Sequence, residues 1–181
     1  MLRGARSRSA VSTGYEGTYS QFGRHVEERG ASYHGAIEGT RFGQRTGGQK
    51  GWQAAVLDSF AVLAFLFGEP GHEKVLTLLE KAADADTELL IAAPNWAEVS
   101  YIVERKVGLT QWREARARLL GLPIDIVPAD QELSELAGQL KVTKKMSLAD
   151  CFAAALAKRE KLEVFTGDPE FKAIGREIKV V

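Results

Sequence analysis

Cysteine is almost absent: Cys151 is the only one in 181 residues. No intramolecular disulfide is therefore possible, and a reducing cytoplasm is the simplest compartment for the chain. Three histidines, His25, His34 and His72, show none of the paired spacings of zinc sites, and a single thiol cannot complete such a set. Long apolar runs are missing too. The most hydrophobic stretch, residues 54–67, is interrupted by Asp58 and is shorter than the ~20 residues a membrane-spanning helix requires, so no membrane partner is expected. The formal net charge is zero. It is unevenly placed, with eight Arg/Lys against four Asp/Glu in residues 1–50 and sixteen against twenty in the rest. A domain that grips nucleic acid by charge alone is basic, so a nucleic-acid role here requires a local basic patch or a metal.

Eleven of the eighteen glycines fall in residues 1–51, among Ser, Thr and Arg and with few aliphatic residues in any period. Such a segment buries too little to offset its ordering entropy, and it reads as a disordered or linker-like extension. From residue 52 to 181 the texture is that of one domain. Short apolar runs alternate with helical patterns, the signature of βαβ units and a mostly parallel sheet. Strands are expected at 54–57, 88–92, 124–127 and 162–165, with a last short edge strand at 178–181. Helices are expected at 59–67 and 72–83, from Pro94, from an N-cap at Thr110, over 130–140 and from Ser147. The class is α/β.

Four carboxylates are placed to converge on one edge of a parallel sheet: Asp58 at the end of the first strand, Glu98 one helical turn after the second, Asp150 near the start of the apolar helix and Asp168 three residues beyond Phe165. In open parallel sheets the carboxyl ends of the strands form the ligand crevice. Each acid also has an ordinary local reading. Asn95–Glu98 and Ser147–Asp150 have the spacing of capping boxes, Asp168 before Pro169 that of an N-cap, and Asp58 that of a strand-end turn. Taken together, unpaired carboxylates brought within a few ångströms repel and raise one another's pKa unless a cation neutralises them. No lysine or arginine adjoins them in sequence. Asp150 is the sharpest case, because the helix after it is apolar enough to be core, where a lone charge is costly. Oxygen-only ligation suits Mg2+ or Mn2+.

Val56-Leu-Asp-Ser59, Pro94-Asn-Trp-Ala-Glu-Val99, Ser147-Leu-Ala-Asp150 and Thr166-Gly-Asp168 resemble, in order and spacing, the four acidic motifs of the PIN-domain family. Within it the chain is most similar to the VapC-like toxins of type II toxin–antitoxin pairs. The similarity covers residues 54–181; the first 51 match nothing in it. The resemblance implies a three-layer α/β/α fold with a sheet of four to five strands. It implies a cytoplasmic ribonuclease that hydrolyses RNA phosphodiester bonds, a cognate antitoxin partner and a homodimer. It implies Asp58 and Asp150 as direct ligands of Mg2+ or Mn2+, Glu98 and Asp168 as ligands through water or of a second ion, and Ser59 and Thr166 in support. Lys141, Lys144 and Lys145 are the candidate RNA contacts, with Arg105 and Lys106 weaker ones. Trp96 has two readings, base stacking or packing under the sheet edge.

Two other readings compete. A phosphoryl-transfer enzyme of the haloacid dehalogenase kind also begins with a strand-end aspartate but wants a second one where this chain has Phe60. A catalytically inactive module of the same fold would act only through a protein partner, offering amphipathic helices as a groove.

Overall fold

In the computed structural model residues 54–175 and 178–180 are described; the extension expected over 1–51 lies outside them. Four strands form one sheet: β1 (Ala55–Leu57), β2 (Leu89–Ala92), β3 (Ile124–Val127) and β4 (Glu163–Phe165). Six helices accompany them: α1 (Ser59–Phe67), α2 (His72–Asp84), α3 (Ala93–Val107), α4 (Leu109–Leu119), α5 (Gln131–Thr143) and α6 (Leu148–Glu160), with a short 3-10 turn at Pro169–Ala173. None of these helices is long and apolar enough to cross a membrane.

The strands lie in the order β3-β2-β1-β4, all parallel. Side chains alternate between the two faces of the sheet, and the registers Val56↔Leu90 and Val56↔Val164 put these three residues on one face. There they join a core with Leu133, Ala137 and Leu140 of α5 and the run Cys151–Ala157 of α6. Ala55, Leu57, Leu89 and Ile91 point to the other face and are also buried, with α3 against β2 and β3. Helices therefore cover both faces, the three-layer α/β/α arrangement. A strand covered on both sides has no polar face, which is why Ala55-Val-Leu57 is apolar throughout and wholly buried.

The helices follow the same logic. α1 buries seven of its nine residues and stops at Gly68, in the left-handed conformation (φ 63°) that favours glycine. α2 buries only the stripe Val75, Leu79 and Ala82. Gly108 (φ 101°) both ends α3, its N–H donating to Glu104 O at 2.8 Å, and starts α4. The expected N-cap, Thr110, thus lies inside α4. The expected edge strand at 178–181 reduces to a parallel bridge between Val164 and Val180, with Val164 N–H donating to Lys179 O at 2.9 Å. Ile178 is buried and tied back to Ile174, so the described backbone meets β4 only at its next two residues.

The winding determines where a site can lie. From β1 the chain steps outward to β2 and then β3, and only afterwards crosses back to place β4 on the other side of β1. The loops leaving β1 and β4 consequently diverge, opening a crevice at their carboxyl ends. Asp58 directly follows β1, and Thr166-Gly167-Asp168 directly follows β4.

Candidate functional site

Asp58 is the N-cap of α1. Its Oδ1 accepts from Ala61 N at 2.7 Å, and its Oδ2 accepts from the Thr166 hydroxyl at 2.5 Å, across the β1–β4 crevice. The side chain is 1% exposed. Burial pushes its pKa up to about 7; the two hydrogen bonds oppose this, and the charges of Asp150 and Asp168 add to it.

Asp150 is the third residue of α6 and forms the expected capping box. Its N–H donates to Ser147 Oγ at 3.0 Å, while its Oδ2 accepts from Ser147 N at 3.2 Å. Burial raises its pKa too, against the Ser147 hydrogen bond, with the charges of Asp168 and Glu170 raising it further. Asp168 caps the 3-10 turn through Oδ1, which accepts from Glu170 N at 2.8 Å, and its own N–H donates to Thr166 Oγ1 at 2.9 Å. Thr166 therefore links Asp58 to Asp168 through one hydroxyl. Each cap uses one carboxylate oxygen. Asp150 Oδ1 and Asp168 Oδ2 accept no hydrogen bond among the described residues.

Asp58, Asp150 and Asp168 thus act on one another, and no cation among the described residues pairs with them. Glu98 is placed differently. It is partly exposed on α3, and its Oε1 accepts from the Tyr101 hydroxyl at 3.2 Å. The capping box expected at Asn95–Glu98 does not form, because α3 starts at Ala93 directly from β2 and puts Asn95 inside the first turn. Asn95 is fully buried there. Its Nδ2 donates to Ser59 Oγ at 3.1 Å, and Ser59 Oγ donates to Asn95 O at 3.3 Å. The Ser59 hydroxyl is thereby engaged with α3 rather than with the carboxylates. Asn95 Oδ1 has no partner among the described residues.

The sequence reading passed over Glu170. Its Oε2 accepts from Ser147 N at 3.1 Å, so it joins the acidic group from 23 residues away; the only local signal was an acid in the first turn after Asp168. The candidate RNA-contacting lysines are partly committed. Lys141 donates to Met146 O, in the loop that carries Ser147, and Lys144 donates to Ala173 O at 3.4 Å; Lys145 is exposed. Trp96 packs on Trp112 with ring centroids 5.5 Å apart. Arg105 lies 5.5 Å from the Tyr101 ring, and Lys106 pairs with Glu69 at 3.4 Å.

The oxygen-only donor set and the lack of a neutralising side chain among the described residues suit a hard divalent cation. Among the described residues, however, no three His, Cys, Asp or Glu are arranged to hold an ion. The fit is thus to an ion that keeps much of its water shell and takes few protein ligands, the habit of Mg2+. Beside the carboxylates a cleft of about 490 Å3 is lined by Thr166, Gly167, Asp168, Pro169, Lys172 and Lys179, among others.

The sequence model described as PIN domain matches residues 55–177. Among curated proteins none matches the chain. Among solved structures, a chain of the DNA-bound VapBC complex from Salmonella typhimurium is similar at TM-score 0.57 and 14% identity, covering 72% of this chain and 98% of that one. VapBC2 from Rickettsia felis, bound to a DNA fragment from its promoter, gives 0.56 and 19%, covering 71% and 98%. VapC20 of Mycobacterium tuberculosis, a toxin that cleaves the sarcin–ricin loop, gives 0.54 and 19%, covering 67% and 95%. At such identities the likeness is one of fold.

Proposed function

The chain belongs to the PIN-domain family, and from that premise we propose that it is a ribonuclease that hydrolyses RNA phosphodiester bonds with Mg2+ or Mn2+, as the toxin of a cytoplasmic toxin–antitoxin pair. One observation carries the reading: Asp58, Asp150 and Asp168 meet at the β1–β4 crevice, where the charges of the others add to the raised pKa of Asp58 and that of Asp168 to the raised pKa of Asp150, and the three find no cation among the described residues. The capping carboxylate of α5 is not left so. Asp130, the N-cap of α5, is paired with Arg159 at 2.9 Å.

Asp58 and Asp150 are the proposed direct ligands, with Asp168 and Glu98 acting through water or on a second ion. A divalent ion there would supply a Lewis acid, lowering the pKa of a water and offsetting charge on the scissile phosphate. The chain's own groups set the site up. Thr166 fixes Asp58 Oδ2 and the Asp168 backbone with one hydroxyl. The α6 capping box fixes Asp150 while leaving its Oδ1 available. Asp58, with a pKa of about 7, holds a proton over part of the neutral range and must release it to bind a cation. Ser59 supports the site indirectly by tying α1 to α3 through Asn95. Lys141, Lys144 and Lys145 flank the acidic edge and are proposed to meet substrate phosphates, Lys145 most directly. An antitoxin partner is supported by the VapBC complexes of the same fold, and a homodimer is part of the same proposal.

A second reading, an inactive module that works only by binding a protein, has one observation in its favour: the carboxylates are not already gathered into a three-ligand set. RNA cleavage assayed with Mg2+, with Mn2+ and with EDTA separates the two. The nuclease reading expects cleavage that needs the ion and disappears in Asp150→Asn, with an unchanged circular dichroism spectrum. Cleavage indifferent to EDTA, or surviving in Asp150→Asn, refutes it.

A further inference from the structure

Phe60 stands two residues after Asp58, in the first turn of α1, and is 40% exposed on a helix that buries seven of its nine residues. Its ring is nevertheless seated. A Cβ built on Gly167 would lie 2.4 Å from Cε1 and 3.1 Å from Cδ1 and Cζ of that ring. The missing side chain between Thr166 and Asp168 is what allows the aromatic edge to rest on the β4 loop. Phe60 therefore spans the two strand ends that bear the carboxylates, resting on Gly167 and 40% exposed. Gly167 is also a wall of the cleft that carries Lys172 and Lys179.

We propose that Phe60 is a stacking platform for a nucleobase next to the scissile phosphate. The proposal rests on the ribonuclease reading and deepens it. An exposed aromatic face takes any base by stacking, without hydrogen-bond readout. A phosphate at the acidic crevice places the adjoining base within reach of a ring that touches the residue between Thr166 and Asp168. The cleft beyond Gly167 then receives the neighbouring backbone, with Lys172 and Lys179 on its walls to offset phosphate charge. Bases inside a duplex are already stacked on their neighbours and present no face to the ring.

The test compares the wild-type chain with Phe60→Ala, Phe60→Leu and Phe60→Tyr on a short single-stranded oligoribonucleotide of mixed sequence and on the same strand paired to its complement. Loss of stacking by Ala or Leu is expected to raise KM for the single strand about tenfold to a hundredfold, with kcat within about twofold. Phe60→Tyr should restore the wild-type value, and the paired strand should be a poor substrate throughout. Phe60→Leu still covers Gly167 but cannot stack, so a wild-type KM in that variant overturns the proposal. Fluorescence anisotropy with the same oligonucleotide in EDTA separates this idea from the nuclease reading. If the wild type does not cleave, a tenfold weaker binding by Phe60→Leu still supports stacking, and equal affinity refutes it.

Discussion

Asp58 and Asp130 do the same local job in two parts of the molecule. Each caps a helix by accepting a backbone N–H three residues on, Ala61 at 2.7 Å and Leu133 at 2.8 Å. Their remaining oxygens differ. Asp130, exposed, receives Arg159, and its pKa is lowered, first by the cap hydrogen bond and then by the guanidinium. Asp58, buried, receives only the Thr166 hydroxyl and faces two more aspartates, and its pKa rises. Capping explains the geometry of both. It leaves unexplained why one has a cation and the other has none among the described residues, and that uncompensated charge is where the proposed chemistry lies.

Cleavage assays give the comparison its largest contrast. Asp58→Asn keeps a competent cap and is expected to lower kcat/KM by on the order of a thousandfold or more, whereas Asp130→Asn stays within about twofold; equal values for the two variants would erase the distinction. Stability against pH sharpens it further. A carboxyl whose folded pKa is raised holds its proton more tightly when folded. Its contribution is therefore complete below the ordinary carboxylate range and disappears as pH rises through about 7. The loss is on the order of 4 kcal/mol at most. Tm in EDTA should accordingly fall between about pH 4 and 7 and level off above, and Asp58→Asn should flatten that fall. Asp130 has the opposite sign: its lowered pKa stabilises at neutral pH and ceases to do so as the solution becomes acidic.

Smaller effects test the scaffold around Asp58. Asn95→Ala removes the buried bond to Ser59 that ties α1 to α3, at a cost of about 1–3 kcal/mol in urea unfolding. A variant as stable as the wild type would show that the bond contributes nothing. Gly167→Ala forces its Cβ onto the Phe60 ring, for about 1 kcal/mol, since an exposed ring can swing aside. In a Phe60→Ala background that cost should vanish, which a double-mutant cycle measures directly.

Elements with a clean period were readable from residues alone. The limits of α1 and β3 coincide with the apolar runs at 59–67 and 124–127, and the α6 capping box follows from Ser147 and Asp150 being three apart. The helix expected from Pro94 does open there, with proline in its first two positions. Thr110 looks like a helix start because threonine favours an N-cap, yet Gly108 makes the α3–α4 corner and puts Thr110 inside α4. At the crevice the strand-end positions of Asp58 and Asp168 were legible because parallel strands align their carboxyl ends. The share of Glu170 was not, since its partner Ser147 is 23 residues distant. Nor was the engagement of Ser59 with Asn95, 36 residues apart. Asn95 seemed a cap until its place in the first turn of α3 turned it inward. Capping and ion binding also looked like rival explanations in the sequence, whereas a carboxylate has two oxygens and the structure assigns one of them to each cap.

Cys151 follows Asp150 in α6 and is fully buried, and burial pushes its thiol pKa upward. A thiol reacts as its thiolate, so this sulfur is inert toward alkylating and oxidising reagents while the domain stays folded. The native protein thus carries no competing nucleophile of this kind. A reporter cysteine placed on the exposed surface, at Lys145 for instance, can be labelled at that single point, and release of Cys151 to a thiol reagent becomes a clock for global opening.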